Sequence, residues 1–279
     1  MKPLFAFLFA FALCFGVKLE TITVKSAAMN KEISVNIALP YNYSPDKRYP
    51  VVYLLHGYDG DYTSWVGMAR DAIEYSANYR QMIFVMPDGG FNSWYIDSAV
   101  DPKVRYETFI AKELVKAIDD RYSTLKQRES RAITGYGMGG YGAFNLAIRN
   151  PQLFGVVGSI SGAVDLPSIA GNWDLEKRFG TFRSNVVRWE TSSIINMITE
   201  LSKNPPKIIF DSGSEGIFYA DNLELHNRLL KRKVPHTYIS REGQHTPHYA
   251  NLALRFQLLF IAGEINALRQ WSEPLIEER

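Results

Sequence analysis

Ile133-Thr134-Gly135-Tyr136-Gly137-Met138-Gly139-Gly140 carries a β-branched run into a glycine-rich turn and on into a helical segment. This is the setting of the G-x-S-x-G elbow, a sharp strand-to-helix turn that exposes its central side chain as a nucleophile. Here the central residue is Gly137. Outward from the turn, strand signals fall at 21–24, 33–39, 51–55, 82–86, 131–134, 156–160, 207–210 and 236–239. Helical spacing separates most of the later ones: 106–121 places Phe109, Ile110, Leu114, Ala117 and Ile118 on one face, and 138–149, 222–230 and 249–261 behave similarly. Two β segments followed by strand and helix in alternation predict an α/β domain with a mostly parallel central sheet flanked by helices. Between 163 and 206 the alternation lapses into a segment containing Trp173 and Trp189. It reads as a short cap-like insertion over the site.

The chain has 279 residues, 46% of them hydrophobic and 22% charged, enough to bury a full core in one domain. No repeat, low-complexity tract or linker divides it. A formal charge of +2, with lysines and arginines evenly spread, speaks against a nucleic-acid partner. At the N-terminus Lys2 precedes an apolar run from Leu4 to Phe15, and Cys14-Phe15-Gly16 offers small residues where a signal peptidase reads. The expectation is a signal peptide over 1–16, a domain over 17–279, and export to the periplasm or medium. The run is short for a membrane span. Bulky Leu13 disfavours a lipoprotein anchored through Cys14, the chain's single cysteine. The mature chain then has no thiol for a disulfide, a metal site or a nucleophile. His245 and His248 come without a nearby carboxylate pattern, so neither a metal nor another cofactor is expected.

Several motifs arrive in a telling order: Leu54-Leu55-His56-Gly57-Tyr58-Asp59-Gly60 with Trp65, Met86-Pro87-Asp88-Gly89, Ser93-Trp94-Tyr95, Arg131-Ala132-Ile133-Thr134-Gly135, Met138-Gly139-Gly140-Tyr141-Gly142-Ala143, and Gly243-Gln244-His245-Thr246. Across roughly 18–261 the chain resembles the esterase D group of α/β-hydrolases. That group includes S-formylglutathione hydrolases, feruloyl and acetylxylan esterases and mycolyltransferases. The resemblance implies an α/β-hydrolase fold and acyl-transfer chemistry. Such chemistry needs a nucleophile on the elbow, a histidine to take its proton, an acid to orient the histidine, and two backbone N–H donors for the oxyanion.

At the nucleophile position Gly137 has no atom to attack a carbonyl. The elbow strains a non-glycine residue by about 1–3 kcal/mol, which glycine avoids. Ser159, Ser161, Thr134 and the Tyr136 hydroxyl lie away from the apex and read as structural. His245 follows a strand-to-loop exit near the end of the domain, where the base belongs. Relatives carry Gly-x-x-Asp after the seventh strand, and over Asp211-Ser212-Gly213-Ser214-Glu215-Gly216 that aspartate falls on Gly216. Glu215, then Asp211 or Asp221, could substitute; loop charge or helix capping is their ordinary alternative. Tyr58 and Met138 match the oxyanion-hole positions, whose donors are main-chain and survive side-chain substitution. Trp65, Trp94, Tyr95 and Tyr136 are candidates to line the substrate pocket, with core packing the alternative for Trp65 and Trp94.

Three readings follow. One is a catalytically impaired esterase relative that still binds a small-molecule ester, acid or acylated carbohydrate. Another is a working carboxylesterase in which His245 activates water or a relocated hydroxyl. A third is an engineered Ser→Gly variant, against which the second glycine at 216 argues. The first is preferred, with hydrolysis of carboxylic esters, by family analogy carbohydrate-linked, as the ancestral reaction.

Overall fold

Five-residue runs with no polar face, Val51–Leu55 (β3) and Ile83–Pro87 (β4), are buried along their whole length. Such strands need cover on both sides, and the fold supplies it. The computed structural model describes residues 16–201 and 204–272, with side chains to residue 266. The expected signal peptide lies outside the described residues but for Gly16. The other strands are Lys18–Ser26 (β1), Lys31–Leu39 (β2), Arg131–Gly135 (β5), Val156–Ile160 (β6), Lys207–Gly213 (β7) and Thr237–Arg241 (β8). All eight join one sheet in the order β1-β2-β4-β3-β5-β6-β7-β8. β1 and β2 pair antiparallel, β2 meets β4 antiparallel, and every later pairing is parallel.

The pleat sends alternate side chains into two cores. Val52 and Leu54 of β3 pack with helices Ser64–Arg80 (α1) and Pro247–Ser272 (α9) on one face, whereas Val51, Tyr53 and Leu55 join the other core. That second face is covered by Tyr106–Thr108 (α2), a π-turn over Phe109–Leu114, Val115–Arg121 (α3) and Met138–Arg149 (α4). The expected single helix over 106–121 is therefore one helical path with a widened middle turn. Three expected elements, 51–55, 138–149 and 156–160, coincide with the observed ones.

The irregular segment after β6 holds short helices Glu176–Phe179 (α5), Val186–Ser192 (α6) and Ile194–Met197 (α7), followed after β7 by Tyr219–Lys231 (α8). Trp189 fixes it from within: its indole is fully buried and donates to Gly180 O at 2.9 Å. Trp94 ties it to the domain by donating from Nε1 to Trp173 O at 3.1 Å. Among the described residues no helix is long and apolar enough to cross a membrane.

Candidate active site

β5 ends at Gly135, α4 begins at Met138, and the two residues between make the elbow. Gly137 has φ 56° and ψ −110°, a backbone that L side chains rarely adopt. Its N–H donates to Ile160 O at 3.0 Å, and its carbonyl accepts from Tyr141 N at 3.0 Å, so neighbouring strand and helix hold the turn. Gly139 allows close approach: a Cβ there would fall 2.2 Å from Leu55 O. The glycines of the turn thus press α4 against the end of β3.

Opposite the elbow runs the loop after β3. His56 is fully buried, accepts from Gly89 N at its Nε2 (2.7 Å) and has Nδ1 2.7 Å from Gly57 O. The first contact makes Nδ1 the protonated nitrogen, and burial pushes the ring's pKa down. His56 is a brace for this loop. Tyr95, fully buried, donates to His56 O at 3.0 Å and braces the same turn instead of lining the pocket. Tyr58 Oη reaches across to Asp174 Oδ2 at 3.1 Å, which fastens the loop to the cap.

Between elbow, loop and cap lies a cavity of about 300 Å³ lined by Tyr58, Trp94, Tyr136, Gly137, Met138 and His245, with Trp173 and Phe218 completing its walls. As the first residue of α4, Met138 has an N–H with no intrahelical acceptor. Among the described residues the Tyr58 N–H donates to no turn or loop carbonyl. Two backbone donors thus border the cavity, Tyr58 from the loop after β3 and Met138 at the N-terminus of α4, whose dipole favours negative charge.

His245 sits in the loop between β8 and α9. Its ring stacks on Tyr136, with centroids 4.3 Å apart and planes 17° apart, and meets Phe218 at 4.9 Å, near-perpendicular. A Cβ built on Gly137 would lie 3.2 Å from both Nε2 and Cε1 of His245. The elbow residue and the His245 ring are therefore adjacent, with no side chain between them. On its other side, Nδ1 is buried and has no hydrogen-bond partner among the described residues. Burial lowers the ring's pKa to about 4, so His245 is neutral at pH 7.

Among the described residues no carboxylate orients this ring. A Cβ on Gly216 would lie 3.5 Å from His245 N and 3.1 Å from Gly213 O, which places residue 216 beside the histidine. Glu215 is exposed, and its Oε2 accepts from Gln244 Nε2 at 3.4 Å; the one-residue offset turns it away, correcting the expectation that it stands in as the acid. Asp211 is buried in β7, where its Oδ2 accepts from Gln257 Nε2 at 2.8 Å and burial raises its pKa to about 7. Asp221 accepts from Ser168 Oγ at 2.7 Å. Ser159 and Ser161 are buried, and Thr134 Oγ1 donates to Gln257 Oε1 at 2.5 Å, so these hydroxyls are absent from the cavity wall.

Trp65 requires a second correction. It is 1% exposed and packs in the core shared by α1 and α9, because the first turn of α1 points it at the sheet rather than at the cavity. Phe218 was missed, although an aromatic two residues beyond Gly216 and just ahead of α8 was a usable signal. Trp173, expected only in the cap, supplies a wall of the cavity.

A family model described as "Putative esterase" matches residues 26–266. An acetyl esterase of Caldicellulosiruptor saccharolyticus is 27% identical over 248 residues, covering 80% of this chain and 90% of that protein. The S-formylglutathione hydrolase of Bos taurus is 23% identical over 277 residues, 90% of this chain and 93% of that one. A solved ferulic acid esterase superposes with a TM-score of 0.77 at 26% identity, covering 90% of this chain and 99% of its own. Sheet order, flanking helices and these likenesses give the α/β-hydrolase fold.

Proposed function

The chain belongs to the esterase family of carboxylic ester hydrolases, and on that premise we propose that it is a catalytically impaired member that keeps the family's acyl-binding pocket. One observation carries the reading: the elbow residue adjacent to His245 Nε2 is a glycine. Acyl-enzyme formation requires an oxygen or sulfur on that residue, within hydrogen-bond reach of a base. It also requires an acceptor on the base's far nitrogen, and Nδ1 of His245 has none among the described residues. Both deficits act on the same step, transfer of a proton away from the attacking atom. What remains is binding: two main-chain donors, a neutral imidazole and aromatic walls.

The ligand class is a small ester, the acid derived from it, or an acylated carbohydrate. Support comes from relatives named as acetyl and ferulic acid esterases and from the apolar N-terminal run behind Lys2, which favours export. A second reading has its own observation. The space beside Nε2 left by Gly137 could admit a water that His245 activates. Hydrolysis of a short-chain aryl ester by the purified protein and by its His245→Ala variant separates the two. Equal background rates are expected. Turnover that disappears with His245 would replace the impaired reading with the water-mediated one.

A further inference from the structure

His245 is neutral and carries one N–H, and its surroundings decide which nitrogen holds it. Nδ1 is buried and finds no partner among the described residues, while Nε2 faces the cavity beside Gly137. A proton on Nδ1 would strand a donor away from water, and buried orphan N–H groups are the least tolerated of unpaired backbone-like polar groups. A proton on Nε2 leaves only an unfilled acceptor inside and points the donor at the cavity. The tautomer follows from the missing acid, since an acceptor at residue 216 is what would draw the proton to Nδ1.

We infer that this cavity is a receptor for a carboxylate, held by the N–H groups of Tyr58, Met138 and His245 Nε2. The inference rests on the reading that the pocket persists without acyl-enzyme formation, and it names the ligand's chemical form. A carboxylate has two equivalent anionic oxygens. One takes the N–H of Met138 at the start of α4, where the helix dipole adds to a charge-assisted bond, together with the N–H of Tyr58 from the loop after β3. The other takes Nε2–H, in the room that a side chain at 137 would fill. An ester offers one good acceptor, its carbonyl oxygen, and sets a bulky, weakly accepting alkoxy group against the remaining donor. The wall formed by Trp94, Trp173 and Phe218 is aromatic, with the rings of Trp173 and Phe218 5.6 Å apart and tilted at 52°, suited to an aryl or other unsaturated tail. One acidic side chain, Asp59, belongs to the lining; it is exposed, at the solvent edge of the loop, where water screens it. In an intact triad the histidine accepts a proton; here the same ring donates.

Calorimetric titration with benzoate, cinnamate and their methyl esters tests the assignment, together with ¹⁵N NMR of the His245 ring. Both acids are expected to bind at least tenfold more tightly than their esters, with the proton on Nε2. Gly216→Asp puts a carboxylate on a position whose Cβ would lie 3.5 Å from His245 N, and it is expected to reach the ring, move the proton to Nδ1 and weaken benzoate at least tenfold. Gly216→Ala adds the Cβ alone and should leave both unchanged, and the NMR proton position separates tautomer change from simple charge repulsion. Esters binding as tightly as acids, or a wild-type proton on Nδ1, overturns the carboxylate assignment and leaves the pocket reading standing. Binding of neither acid nor ester overturns both.

Discussion

A Cβ placed on Gly137 stands 3.2 Å from Nε2 of His245, so the elbow and the base keep their register although nothing bridges them. That closeness makes the consequences of refilling position 137 calculable. The φ of 56° strains any L side chain by about 1–3 kcal/mol. Gly137→Ser is therefore expected to lower Tm by roughly 2–10 °C in calorimetry, a new hydroxyl bond to Nε2 offsetting only part of the loss. A rise in Tm would contradict the strained-elbow geometry.

Refilling the elbow alone leaves His245 without an acid. Gly137→Ser combined with Gly216→Asp is expected to hydrolyse aryl esters about 10⁴-fold faster than Gly137→Ser, on the scale that loss of a triad aspartate costs a serine hydrolase. Glu215→Gln in the double variant should change the rate less than twofold, because that carboxylate faces Gln244. If the double variant shows no turnover, or the glutamine change abolishes it, the assignment of residue 216 as the acid position is wrong.

Asp211 gives the fold a pH dependence of its own. Burial raises its folded pKa to about 7 from the ordinary 3.8. Between those values the folded state holds a proton that the unfolded chain has released, so stability falls as pH rises from about 4 to about 7 and levels off above. Asp211→Asn keeps an acceptor for Gln257 and removes the titration. Denaturant melts should find its stability flatter across this window, and higher than wild type at pH 8 by on the order of 4 kcal/mol, at 1.36 kcal/mol per pKa unit. Parallel profiles for the two proteins would show that Asp211 is not the group responsible.

Trp65 and Trp173 separate packing from binding. Trp65→Ala opens a cavity between α1 and the sheet and is expected to destabilise by about 3–5 kcal/mol while leaving the affinity of the surviving folded protein for benzoate unchanged. Trp173→Ala removes a wall of the pocket and should weaken benzoate several-fold with little change in Tm. The reverse pattern would exchange their roles.

Much of this was legible in the sequence because fully buried strands leave short, mostly apolar runs: 51–55, and 156–160 despite its Ser159, emerge with their observed limits. The turn into α4 was equally clear, since close backbone approach can be met only by glycine. α1 escaped notice. Its buried face is Trp65, Ala69, Ala72, Ile73, Ser76 and Ala77, mostly small residues, while Tyr75 and Tyr79 point outward, so the apolar stripe is inverted in bulk. The same helix explains the misplacement of Trp65, whose neighbourhood to the His56-Gly57 loop is sequential rather than spatial. Glu215 illustrates another limit. A motif fixes which residue is in the loop, whereas the direction of a loop side chain depends on turn geometry that sequence does not display.

The N–H of Met138 belongs to the peptide chain rather than to a side chain, and any residue except proline at 138 presents the same donor. No ordinary substitution there can erase it while the turn still folds. The donor at 138 is therefore independent of whether residue 137 carries a side chain, and recognition through the main chain outlasts changes in the side chains around it.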